Sequence, residues 1–280
     1  MKTAIKPPLV IDKSFAHSRT HLLSKLAKDY TLLMPSAFFY EVFTTVPEKR
    51  ALELKDFPPF QRVHIGTLLK QERKTGKPAD SINFREMNFN PMVASASWRL
   101  SADNAKIVEK DKVASVGPAL DFWQDVLKLR CVPGFSEDEL GSTRGSDEEF
   151  IHLCEKLREE YRIQEIAKEF AWIHAPKLNP HWLYYRHLQT LVLQGLVLLR
   201  RYPNPGDVFG ILRTEHDVHD LEYLTLGLHA GSLATAEIST LLSKASMSWR
   251  FRMLHPRGNL VEPMAKPGRT TEHIANSQKN

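Results

Sequence analysis

The sequence predicts an α/β protein, a parallel sheet flanked by helices and interrupted mid-chain by a large, mostly helical insertion. Three observations predict it. Strand-like and helix-like runs alternate up to about residue 49, the pattern of parallel strands joined by crossover helices. Apolar residues then recur at helical spacing through most of residues 50–205. After "RYPNPGD" the alternation resumes.

The first strand is "PLVID", a short apolar run between prolines and Asp12. "HLLSKLAKDY" follows with Leu22, Leu23 and Leu26 at helical spacing. "YTLLMP" reads as the second strand, stopped by Pro35. Ser36 stands where an N-cap belongs, before a helix "AFFYEVFTTV" whose apolar face is Phe38, Phe39, Val42 and Phe43. In the middle, "DNAKIVEKDKVASV", "PALDFWQDVLKL", "EEFIHLCEKLREEYRIQEIAKEFAWI" and "HWLYYRHLQTLVLQGLVLLRR" all carry the helical period. The charge-rich stretch from Glu155 to Glu169 reads as a solvated helix face. Farther on, "VFGILR" suits a strand, "DLEYLTLGLHAG" a helix stopped by Gly231, and "SLAT" a short strand. A helix "EISTLLSKASMSW" and a last strand "RFRML" complete the pattern, and the polar segment from His255 onward reads as a disordered tail.

Composition narrows the function classes. The chain of 280 residues is 42% hydrophobic and 25% charged, enough for a sizeable core. Its longest apolar run, "LQTLVLQGLVLLRR", is broken by Gln194 and Gly195 and is too short to span a bilayer. "MKTAIKPPLVID" lacks the pattern of a secretory signal, so a cytoplasmic, non-membrane protein is expected. Cys131 and Cys154 make neither a disulfide framework nor a zinc site and read as free thiols. A formal net charge of +5 slightly favours a polyanionic partner.

The acids carry the chemistry. Asp12 ends the first strand, and Glu41 lies in the helix after the second. Asp217 and Asp220 stand at the entrance to a later helix, and Glu237 immediately follows "SLAT". Sites in open α/β sheets form outside the carboxyl ends of the strands, where these acids are placed to meet. Clustered carboxylates repel one another unless a hard divalent cation such as Mg²⁺ or Mn²⁺ sits between them, and such a cation can activate water against a phosphodiester. Each acid has a plainer reading as well. Asp12 and Asp220 fit helix N-caps, Glu41 a polar helix face, and Glu237 a helix first turn.

His216 and His219, at i and i+3, could bind a transition metal. A hydrolase of the His-Asp class would need a distant downstream aspartate, and none follows Asp220. Lys13, Arg213, Arg250 and Arg252 are the basic residues near the expected crevice, candidates for phosphate contacts.

Taken in order, "PLVID", "MPSAFFYEVF", "HDLEYLTLGLHAG" and "SLATAE" resemble the PIN-domain nuclease family. The resemblance implies a split PIN-like α/β domain over residues 1–49 and 206–255, a helical insertion or subdomain over 50–205, and a disordered tail over 256–280. It implies a catalytic, metal-holding set of Asp12, Glu41, Asp220 and Glu237, with Asp217 as a further acid and Thr235 as the small hydroxyl beside the fourth. It also implies a Mg²⁺- or Mn²⁺-dependent endonuclease acting on RNA more than DNA. An inhibitory protein partner, as for a toxin, and a homo-oligomer are compatible with it. The sequence departs from the family at Glu237, where Asp is usual, and in its long middle. Both departures suit an alternative, a PIN-like scaffold that binds RNA or protein without catalysis.

Overall fold

Leu9, Val10 and Ile11 are all buried, as are Leu32, Leu33 and Met34. Successive strand residues face opposite sides of a sheet, so such runs demand cover on both faces. The computed structural model meets that demand. It describes residues 6–38, 41, 57–58, 60–79, 88–89, 118–202, 211–235, 252–254 and 260–261, with the side chains of 88–89, 211–217, 252–254 and 260–261 left aside.

Seven strands form one sheet: β1 (Pro8–Ile11), β2 (Thr31–Pro35), β3 (Phe60–Val63), β4 (Asn88–Phe89), β5 (Ser232–Ala234), β6 (Arg252–Leu254) and β7 (Leu260–Val261), in the order β4-β3-β2-β1-β5-β6-β7. The ladders from β3 through β2, β1 and β5 to β6 are parallel, with Val10 level with both Leu33 and Leu233. The edge strands β4 and β7 run antiparallel to their neighbours. The expected α/β fold with a parallel sheet is therefore present.

Two short helices, α1 (Lys13–Ser18) and α2 (Thr20–Asp29), carry the chain from β1 to β2. After β3 comes α3 (Ile65–Thr75), which ends at Gly76 in the left-handed region, φ 64°. A helix over residues 118–129 (α4) is tied to the later α8 (Leu183–Arg201) by the Trp123 indole N–H, which donates to the Leu191 carbonyl at 2.9 Å. Between them lie α5 (Glu137–Gly141), α6 (Asp147–Glu155) and α7 (Glu160–Glu169). Capping boxes, Ser136 with Glu139 and Ser146 with Glu149, start α5 and α6. Last comes α9 (Ile211–Ala230), which packs on β1, β2, β5 and α8 and stops at Gly231, φ 78°. Among the described residues no helix is long and apolar enough to cross a membrane.

The structure corrects several sequence expectations. Residues 60–63 and 88–89 are strands of the sheet, although they fall in the stretch read as a helical insertion. Ile211–Arg213, read as part of a strand, begin α9. The stretch read as a disordered tail contributes β7, which pairs with β6. The Glu155–Glu169 stretch is not simply a solvated face. Arg162 is buried at 7% exposure, where it donates to Glu139 at 2.8 Å and Glu159 at 2.6 Å. Ser36 is itself helical, and its hydroxyl lies 2.9 Å from His64 Nδ1. Both cysteines are free thiols, Cys131 exposed and Cys154 buried. The helices expected at "DNAKIVEKDKVASV" and "EISTLLSKASMSW" lie outside the described residues.

Long-range polar contacts lock the helical layer. Trp182, at the N-cap of α8, makes no side-chain capping bond. The cap comes instead from Glu72 of α3, 1% exposed, whose carboxylate accepts the N–H groups of Leu183 and Tyr184 at 2.8 Å and of Ala79 at 2.7 Å. Glu72→Ala leaves three buried donors unsatisfied and is expected to cost about 3 kcal/mol in urea unfolding. Glu139 is held down to about 2 by the hydrogen bond from Arg162 and by the Ser136 N–H, with Lys156 assisting. Its folded-state value is depressed, so its contribution is complete above the unfolded value of 4.5 and lost as pH falls toward 2. Urea midpoints measured across that window should drop for the parent chain and more shallowly for Glu139→Gln.

Candidate functional site at the carboxyl ends of the strands

The residue that follows each of four adjacent parallel strands is polar: Asp12 after β1, Ser36 after β2, His64 after β3 and Thr235 after β5. That edge of an open α/β sheet is where a ligand meets converging strand ends.

Asp12 is fixed by both ends of the sequence. Its N–H donates to the Ala234 carbonyl at 3.0 Å, extending the β1–β5 ladder by one residue. Its Oδ2 accepts the hydroxyls of Ser14 and Thr235, each at 2.6 Å. Its Oδ1 receives only a longer bond, 3.3 Å, from the Ser14 N–H, so Asp12 also caps α1. Thr235 and Ser14 thus hold one oxygen of the carboxylate tightly and the other loosely. The N-cap and site readings of Asp12 are compatible, because the cap uses the loosely held oxygen.

Glu41 is half-buried, one helical turn after Ala37. Its Oε2 accepts the Tyr223 hydroxyl at 2.8 Å, and its Oε1 lies 4.0 Å from the Lys13 ammonium. Lys13, adjacent to Asp12, therefore bridges toward the second acid. Tyr223 projects from α9 and is only 3% exposed. Burial, followed by the negative charges of Glu41, Asp12 and Glu222, pushes its phenol well above the ordinary tyrosine value. The hydroxyl is accordingly a proton donor at any ordinary pH. Its neighbour Glu222 accepts the Ala37 N–H at 2.8 Å, so an acid from α9 caps the helical turn that leads to Glu41.

Of the expected acids, Asp12 and Glu41 are brought together at this edge, with Thr235 and Lys13 beside them. Asp220 is not at a helix entrance. It lies in the body of α9, which begins nine residues earlier at Ile211, and its side chain is exposed. Asp217, expected at the same entrance, is also within α9, and its side chain lies outside the described residues, as do those of His216, Arg213 and Arg252. Glu237 and Arg250 lie outside them altogether. His219 is buried within α9. Among the described residues no group of three or more His, Cys, Asp or Glu is arranged to hold a metal ion.

Sequence reasoning missed Ser14, Glu222, Tyr223 and the Ser36–His64 pair. Only Tyr223 had a readable signal. A tyrosine inside the aliphatic run "DLEYLTLGL" will be buried, and a buried phenol needs a partner. Compared with known proteins, the chain matches no family model, no curated protein and no solved structure.

Thr235→Val keeps the shape of a side chain that is 1% exposed but removes one of the two hydroxyls on Asp12 Oδ2. It is expected to cost roughly 2 kcal/mol in urea unfolding, the range for a hydrogen bond to a charged group.

Proposed function

We propose that the chain is a PIN-like, metal-dependent endonuclease that hydrolyses phosphodiester bonds, in RNA more than in DNA. The single observation that carries this reading is the pairing of two acids across the sheet edge. Asp12 and Glu41, which follow the adjacent parallel strands β1 and β2, both act on the one Tyr223 hydroxyl.

Asp12 and Glu41 fit a hard divalent cation in kind, since each keeps one oxygen less tightly engaged than the other. They would hold Mg²⁺ or Mn²⁺, and Glu237, Asp220 and Asp217 are the further acids of the proposed set. Once bound, the cation would supply charge neutralisation and Lewis acidity toward water and phosphate. The chain's own residues supply the rest. Thr235 and Ser14 orient Asp12, and Tyr223 orients Glu41. Lys13, whose ammonium rests beside Glu41, is the described cation best placed to follow a phosphate, with Arg213, Arg250 and Arg252 as further proposed contacts. In this reading residues 1–49 and 206–255 form the PIN-like unit, and the helices between them offer a substrate groove or a surface for an inhibitory protein partner or a second copy.

A second reading is a PIN-like scaffold that binds RNA or protein without cutting. The contact that favours it is Lys13 beside Glu41, because an ammonium there already balances part of the acidic charge.

The full chain with Mn²⁺ is expected to cut single-stranded RNA, and Asp12→Asn to reduce the rate at least 100-fold, on the order of the loss of a metal ligand. Equal cutting by the two chains sinks the nuclease reading. RNA retention with no cleavage, unchanged by neutralising Asp12 and Asp220 together, is the scaffold's signature.

A further inference from the structure

Tyr223 stands out because its position in α9 asks only for an apolar side chain. Val218, Leu221, Leu224, Leu226 and Leu228 of the same helix are all buried hydrophobics. A leucine or phenylalanine would satisfy the packing. A phenol adds one polar atom in a site with almost no water, and a buried hydroxyl without a partner costs free energy. That hydroxyl is spent on one acceptor, Glu41 Oε2 at 2.8 Å.

The surroundings point the same way. Three carboxylates from three separate elements act on the hydroxyl: Asp12 after β1, Glu41 after β2, and Glu222 of α9 itself. Glu222 is turned to the Ala37 N–H, and Asp12 Oδ2 is held by Ser14 and Thr235. Glu41 is the acid left to Tyr223. With Oε2 held by a neutral donor on a rigid helix, the Glu41 carboxylate has a fixed plane, and Oε1 faces the Lys13 ammonium 4.0 Å away.

We infer that Tyr223 is a positioning residue for Glu41, fixing its carboxylate so that Oε1 is the oxygen presented to a divalent cation. This rests on the metal-dependent reading above. Asp12 is arranged alike, one oxygen tightly held by hydroxyls and the other loosely, so the two acids present one oxygen each. Hydrogen-bond partners behind metal-ligating carboxylates commonly change affinity by about 10- to 100-fold when removed.

The test uses the full chain and Mn²⁺ alone as the probe. Tyr223→Phe retains the ring and removes the hydroxyl. Calorimetric titration is expected to show Mn²⁺ binding weakened by about 10- to 100-fold in a chain that still unfolds cooperatively. In the Glu41→Gln background the same substitution should add less than about twofold, because the effect passes through Glu41. Mn²⁺ affinity unchanged by Tyr223→Phe overturns the positioning role and leaves the nuclease reading standing. So does a full effect that persists in the Glu41→Gln background. A parent chain that takes up no Mn²⁺ overturns both together. Should Tyr223→Phe fail to fold, the ring resonances of Tyr223 in the parent chain serve instead. A shift on titration with Mg²⁺ supports the role, and no shift overturns it.

Discussion

The structure depends on the burial of α9 around most of its circumference. One side lies on β1, β2 and β5 and another on α8, so a polar group on the helix must find a partner in the protein. The partners it finds are the joints of the molecule. The Thr225 hydroxyl lies 2.7 Å from that of Thr190 in α8. Glu222 takes the Ala37 N–H and Tyr223 gives its proton to Glu41, both in the segment after β2. One helix thereby fixes the bundle on one side and the strand-end acids on the other. The geometry around Glu41 follows from packing, because α9 has little freedom to turn.

What was legible in the sequence was whatever burial writes into consecutive residues. "LVI" and "TLLM" announce strands covered on both faces, and Asp12, at the end of such a run, announces a strand-end acid. β3 was not legible. Its "FQRV" carries Gln61 and Arg62 at its centre, and nothing local shows that Gln61 will be 8% exposed in a sheet. Two-residue strands such as β4 and β7 are too short to leave a pattern. "VFGILR" is an apolar run too short to tell strand from helix, and tertiary packing decides Ile211–Arg213 for the helix.

The site was half legible for a related reason. Spacing identifies that acids exist near helix starts, but the helix start itself was misplaced, and with it the face that Asp220 presents. In a helix buried on several sides the apolar pattern no longer marks one inward direction. Glu222 and Tyr223 were hidden by this, although they lie within three residues of the acid that was singled out. Remote capping is hidden likewise. The Glu72 carboxylate serves a helix whose first residue is 111 positions later, and only the folded chain brings the two together.

The β1–β5 pairing has a consequence for how the molecule assembles. Asp12 and Thr235 are 223 residues apart in the chain, and β1 occupies the middle of the sheet. A central strand therefore waits for a neighbour made near the end of synthesis. At the usual pace of about 5–20 residues per second, that delay is on the order of tens of seconds. Through it one flank of an apolar strand stays open, and the closing step bears the loop-entropy cost of a very distant contact. A nascent chain of this design has reason to rely on a chaperone, or on early docking of its own helices, to shield that edge until its late partner arrives.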